Sequence, residues 1–182
     1  DPATLFLGFN AGSGTMLSRY YMNGARSVSQ VRAYVSSFGT IGRKIWAVVL
    51  NDAGAIVGFS DTTATITEAD TSTLKTFTLT SAVNITDATF YVGLAQNGGV
   101  STYPLGTQNE SPGKSNAYYT TALTGGAFAN QTTFGRFMIE AIIDAPVAGP
   151  PNCAGIVSPA DAAPGILASA TLNWSVPIGG GA

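Results

Sequence analysis

Apolar residues recur at alternate positions in a series of short runs along the chain, the period of a β-strand rather than of a helix. The most informative run is KIWAVVLNDAGAIVGFS, residues 44–60. Two β-rich segments, 45–50 and 55–59, flank Asn51-Asp52-Ala53-Gly54, whose side chains suit a tight reversal between antiparallel strands. In the first segment Ile45, Ala47 and Val49 share one face and Trp46, Val48 and Leu50 the other. Neither face is polar, so this is expected to be a central strand covered on both sides.

The same period predicts strands at residues 4–9, 16–22, 28–35, 74–80, 88–95, 117–123 and 134–143. In 28–35, Val31, Ala33 and Val35 point inward against Gln30, Arg32 and Tyr34. In 134–143, Phe137, Ile139, Ala141 and Ile143 point inward against Arg136, Met138 and Glu140. Residues 61–73 read as a polar loop with at most one helical turn at 65–70, because threonine is a poor helix former. Residues 97–126 are dense in Gly and Pro and read as a long irregular region around the strand at 117–123. These elements make an all-β fold, an antiparallel β-sandwich with jelly-roll-like topology preferred over an immunoglobulin-like one. The sandwich is expected over residues 1–144, followed by a Pro-rich linker at 145–151 and a different segment at 152–182, whose one clear strand is 168–176.

Composition narrows the function classes. Of 182 residues 45% are hydrophobic and only 10% charged, so the chain buries a core and relies on Thr, Ser, Asn and Gly for its polar surface, as secreted β-proteins do. Eight basic against ten acidic residues leave a net charge of −2 and no basic cluster, which argues against a nucleic-acid partner. There is no histidine and one cysteine, Cys153, which removes His-based triads, Cys/His zinc sites and any internal disulfide. No apolar run approaches the length of a transmembrane segment. The chain begins at Asp1-Pro2 rather than Met, as a processed product or a piece of a longer protein would.

Pro150-Pro151-Asn152-Cys153-Ala154, Ser158-Pro159-Ala160-Asp161 and Ala170-Thr171-Leu172-Asn173-Trp174 resemble the opening of a fibronectin type III domain as secreted multidomain proteins of Bacteroidota carry it. The resemblance implies that Trp174 is the core tryptophan of its second strand, and it covers only the first third of such a domain. Val31-Arg32-Ala33-Tyr34, Trp46-Ala47-Val48-Val49, Phe90-Tyr91-Val92-Gly93-Leu94, Tyr103-Pro104-Leu105-Gly106 and Gly135-Arg136-Phe137-Met138-Ile139-Glu140 are similar to a β-sandwich that precedes such repeats. The resemblance implies a non-catalytic accessory module of a large cell-surface or released protein exported by the type IX route, with no catalytic residues to carry over. Asp61-Thr62-Thr63 also resembles the O-glycosylation triplets of that group, which would place a glycan on Thr62.

Candidate chemistry is sparse. The acidic residues Glu68 and Asp70, Glu110, and Glu140 and Asp144 are candidates for a catalytic pair, but no spacing fixes two of them across a groove, and the chain is expected not to be an enzyme. For Glu140 an ordinary cross-strand ion pair is the competing role. Calcium is the candidate cofactor, with Asp61, Glu68 and Asp70 around one loop, against the alternative that they only solvate or cap it. For a glycan partner the candidates are Tyr103, Gln108, Asn109, Tyr118 and Tyr119, aromatic and amide groups of the irregular region, against the alternative that the tyrosines pack the loops onto the sheet. In the tail, Leu172, Trp174 and Val176 share the apolar face of the 168–176 strand. A strand alone cannot pair its amides or bury that face, so it is expected either to dock on another copy of the chain, head to tail, or to belong to a longer fibronectin-like domain. The function these readings support is a structural or adhesive module outside the cell, or a carbohydrate-binding accessory domain of a secreted hydrolase.

Overall fold

A computed structural model describes residues 3–110, 114–144, 156–158 and 173–174. The chain divides into two compact units, Asp1–Asp144 and Ala145–Ala182.

Among the described residues the first unit is built from two antiparallel sheets that share one core. The first sheet contains β1 (Leu5–Leu7), β3 (Arg26–Val35), β6 (Thr73–Ile85), β8 (Leu105–Gln108), β11 (Arg136–Phe137) and β12 (Ile139–Asp144). β3 lies between β6 and β12, while β8 lies between β1 and β11. β11 and β12 are separated only by Met138, whose N–H donates to the Gly106 carbonyl and whose carbonyl accepts from Tyr34 N–H, so they run as one line that stitches β8 to β3. The second sheet runs β10 (Ala129–Asn130), β9 (Tyr118–Thr121), β2 (Gly14–Tyr21), β7 (Thr89–Gln96), β4 (Ile45–Asn51), β5 (Ile56–Phe59).

The core follows from side-chain alternation. Phe90, Val92 and Leu94 of β7, Ile45, Ala47 and Val49 of β4, and Met16 of β2 face Val28, Val31, Ala33 and Val35 of β3, Phe77, Leu79, Val83 and Ile85 of β6, and Phe137 and Ile139 of β11 and β12. At one corner the sheets join. Leu79 of β6 bridges to Ser60 at the end of β5, where the β3–β6 register breaks between Val28 and Gln30. Tyr20 reaches across the core and donates its hydroxyl to the Ile139 carbonyl at 2.6 Å. Burial pushes that phenol up to about 12.

The central strand is covered on both sides. Val48 and Leu50 of β4 lie with Leu17, Tyr91, Ala95 and Tyr119 in a second apolar cluster on the outer face of the second sheet. Its cover comes from the β9–β10 connection, which packs Leu123 and Phe128 onto the cluster. Gly126 N–H donates to the Gly54 carbonyl, pinning that connection to the β4–β5 turn. Gly54 has φ +82, and a Cβ there would lie 2.3 Å from the Gly126 carbonyl oxygen, so glycine serves both the turn and the close approach.

Several elements differ from the sequence expectation. β8 forms within the stretch read as irregular, β10 forms beyond it where no strand was expected, and β6 continues past residue 80 to Ile85. The helical turn at 65–70 is a 3-10 turn at Glu68–Asp70. Glu140 pairs across the strands with Arg32 at 3.2 Å, the two residues being directly opposed in register. Ile143, expected inside, is exposed, because the β3–β12 register shifts between Ile142 and Ile143.

In the second unit, β13 (Ile156–Ser158) pairs antiparallel with β14 (Asn173–Trp174). The sequence pattern pointed to only one strand here. Leu172 and Val176 lie outside the described residues, and Trp174 is described by its backbone alone.

Candidate functional site

Among the described residues edge strand β1 pairs only with β8, and its alternation is incomplete: Leu7 is buried, while Leu5 and Phe6 are 48% and 43% exposed. Beside them stands Phe38, 61% exposed, from the loop that follows β3. Its ring lies 5.6 Å from that of Tyr103, tilted by 58°. Thr4, Leu5, Phe6, Phe38 and Tyr103 together line a groove of about 330 Å³. Large apolar groups gathered around a concavity at the surface mark a contact site more strongly than the same residues scattered.

The groove has a firm base. Ser36 N–H donates to the Pro104 carbonyl at 2.9 Å, its hydroxyl donates to the Tyr103 carbonyl, and its oxygen accepts from Phe38 N–H at 3.0 Å. Tyr103 N–H donates to the Phe38 carbonyl, and the Thr102 hydroxyl to that of Gly39. The two loops that carry the rings are therefore tied to each other through their backbones. At the opposite end the Thr4 hydroxyl donates to the Thr107 carbonyl and accepts from Asn109 N–H at 2.9 Å.

Of the five glycan candidates, Tyr103 lines this groove, Asn109 adjoins it through Thr4, and Gln108 ends β8 opposite Arg136. The other two are elsewhere. Tyr118 is buried between the sheets, stacked on Phe137 at 4.9 Å, and burial, with nearby Glu110 second, raises its phenol. Tyr119 is buried on the outer face of the second sheet, edge-on to Tyr91 at 5.4 Å and near Phe128. Adjacent residues of a strand face opposite ways, so the pair cannot serve one platform.

The loop before β6 uses its acids internally. Asp61 Oδ1 accepts from Thr63 N–H at 2.8 Å and from its hydroxyl at 2.7 Å, and these bonds lower the carboxyl below its ordinary range. Asp70 accepts from Lys75 Nζ at 2.6 Å and from both Thr67 N–H and hydroxyl, which together lower it to about 2. Glu68, exposed, opens the 3-10 turn. Among the described residues no three acidic, cysteine or histidine side chains come together around one point. Thr62 is exposed beside the Asp61–Thr63 turn.

Compared with protein-family models, curated proteins and solved structures, the chain matches none. Its functional reading therefore rests on its own geometry. The apolar residues of the groove were not singled out by sequence. Phe38 carries the one visible signal, an aromatic isolated among Ser and Gly with no alternating partner, whereas Leu5 and Phe6 sit in a run that reads as an ordinary strand.

Proposed function

We propose that this chain is a non-catalytic structural or adhesive module of a large extracellular bacterial surface protein, of the kind its sequence resembles in the type IX-exported proteins of Bacteroidota. The observation that carries the reading is modular. A sandwich with its own core ends at Asp144, and a second compact unit follows in which two strands pair antiparallel, as the first two strands of a fibronectin-like domain do. The jelly-roll part of the reading is supported by the way β2, β3 and β4, and again β6, β7, β8 and β9, pass from one sheet to the other at each step.

Head-to-tail assembly through the tail strand belongs to the same proposal. Among the described residues β14 pairs only with β13, which leaves its other edge for strand addition to a neighbouring copy. Sedimentation velocity of the full chain over a concentration series is expected to show assembly that a protein ending at Asp144 lacks. Equal behaviour of the two would remove the tail from the proposal.

A second reading is favoured by the groove along β1: a carbohydrate-binding accessory domain whose partner hydrolase lies elsewhere. Aromatic rings held on tied loops stack on sugar faces, and the exposed Asn109 side chain beside Thr4 offers an amide to hydroxyls. Phe38→Ala is expected to abolish glycan-array binding of the wild type with little change in melting temperature, since its ring is mostly in solvent. A silent wild-type array ends this reading.

A further inference from the structure

Where the loop before β4 meets the loop after β7, at the end of the second sheet, lies a hollow of about 290 Å³ lined by Gly42, Arg43, Lys44, Asn97, Gly98, Gly99 and Val100. We propose that it binds the charged group of an acidic polysaccharide, a uronate carboxylate or a sulfate, with the adjoining sugar ring resting toward Trp46.

Charge is the first support. The chain has only eight cationic side chains. Among the described residues Arg32, Lys75 and Lys114 are in ion pairs, Arg19 lies 4.8 Å from the ring centre of Tyr21, and Arg26 and Arg136, separate from each other in sequence, are in no ion pair. Arg43 and Lys44 are adjacent and exposed, and neither has a carboxylate within ion-pair distance among the described residues. Asp61 lies near enough to Lys44 for their charges to interact, and it stays ionised while its Oδ1 accepts from Thr63, so Lys44 is partly balanced and Arg43 is the freer cation. An arginine without an ion pair beside a partly balanced lysine in a concave wall still complements an anion better than a neutral ligand.

Preorganisation is the second support. Gly42 N–H donates to the Ile66 carbonyl, Arg43 N–H to that of Thr40, and the Arg43 carbonyl accepts from Ile66 N–H. Across the hollow Gly98 N–H donates to the Ser13 hydroxyl and Gly99 N–H to the Ala11 carbonyl. Both walls are therefore held before any ligand arrives. Gly42 and Gly99 have φ +76 and +123, and nothing lies within 4 Å of where their Cβ atoms would be, which leaves the backbone open to close approach.

The sugar is the third element. Ile45 is opposite Gln96 and Trp46 opposite Ala95, so continuing the register sets Lys44 against Asn97. Lys44 and Trp46 then share the outer face of β4, with the half-buried indole one step along the strand from the cation. A cation, a carboxamide and an indole edge in this order fit a charged pyranose: anion to Arg43 and Lys44, hydroxyl to Asn97, ring face toward Trp46. The inference rests on the adhesive reading for its choice of a polysaccharide.

The test is calorimetric titration of the full chain with an oligogalacturonate, a sulfated galactan oligosaccharide and a neutral galactan oligosaccharide, with single-stranded DNA as a phosphate control. At least one acidic sugar is expected to bind about tenfold or more tighter than the neutral one, the scale of one charge-assisted hydrogen bond. Which of the two binds tells carboxylate from sulfate. Salt at about 0.5 M is expected to weaken that binding strongly. The surface double variant Arg43→Gln/Lys44→Gln is expected to lose about tenfold or more with its fold unchanged by circular dichroism. No binding of either acidic sugar overturns the proposal, as does DNA binding of equal strength. Undiminished acidic-sugar binding by the double variant overturns the hollow while leaving glycan adhesion standing. Neutral-glycan binding lost in Phe38→Ala but kept in Arg43→Gln/Lys44→Gln belongs to the β1 groove instead.

Discussion

Phe90→Ala is expected to destabilise the sandwich by about 3–5 kcal/mol, the cost of deleting a fully buried aromatic ring and leaving its cavity. Phe90 has no exposed surface, sits on the inner face of β7 and stacks on Tyr20 at 5.5 Å. β7 pairs with β2 on one side and β4 on the other, so relaxation there must move three strands at once. For a domain near this size each kcal/mol lowers the melting temperature by roughly 2–4 °C, so a fall of about 6–20 °C is expected in calorimetry. Phe59→Ala is the matched control. Its ring is 46% exposed at the end of β5, and its removal is expected to shift stability by well under half that amount. Similar losses at both positions would mean that the inner core does not dominate stability.

The contrast between these two phenylalanines shows where sequence was sufficient. In the strand expected at 88–95, alternation puts Phe90, Val92 and Leu94 on one face, and it marks 45–50 as covered on both sides; both features are present. It gave no hint of what provides the outer cover. That role falls to Leu123 and Phe128 in a connection otherwise made mostly of Gly and Ala, and it depends on the non-local bond between Gly126 and Gly54. β8 was hidden for a related reason. Leu105-Gly106-Thr107-Gln108 follows Tyr103-Pro104 and looks like a turn, yet it is extended because β1 and β11 both supply hydrogen-bonding partners.

The candidate groove was legible only in part. Tyr103 and Asn109 flank β8 and so share the neighbourhood of β1, but Tyr118 and Tyr119 follow one another in β9 and point to different cores. The rings that make the groove concave, Phe6 and Phe38, come from segments far apart in sequence from Tyr103. Only the pairing of β1 with β8, and the bonds between the loops at Ser36–Phe38 and Thr102–Tyr103, bring them together. A local pattern carries no record of such closure.

Gln96→Leu is expected to cost about 2–4 kcal/mol, although leucine has similar bulk and greater hydrophobicity. Gln96 continues the inward line of Phe90, Val92 and Leu94 and has no exposed surface. Its Oε1 accepts from Phe9 N–H at 3.1 Å, and its Nε2 donates to the carbonyls of Asn10 at 2.8 Å and Gly12 at 3.2 Å. One amide thus holds the crossing from β1 to β2, and Phe9 within it packs against the core. Leucine would take this partner from three backbone groups, of which the Asn10 carbonyl still accepts from Thr102 N–H. Water reaches those of Asn10 and Gly12 more readily than that of Phe9, which keeps the cost below three full desolvation penalties. Gln96→Glu separates hydrogen bonding from packing. As a carboxylate it keeps the acceptor for Phe9 but turns a negative charge toward two carbonyls; burial raises its pKa, and once protonated it can donate to one of them. Because the folded-state pKa is raised, the variant is expected to be most stable below the unfolded value of about 4.3 and to weaken as pH rises through the folded value. Denaturant midpoints of Gln96→Glu and wild type between about pH 4 and pH 7 check the sign. A gap that stays constant with pH, together with a Gln96→Leu cost under about 1 kcal/mol, would show that the loop holds without this amide.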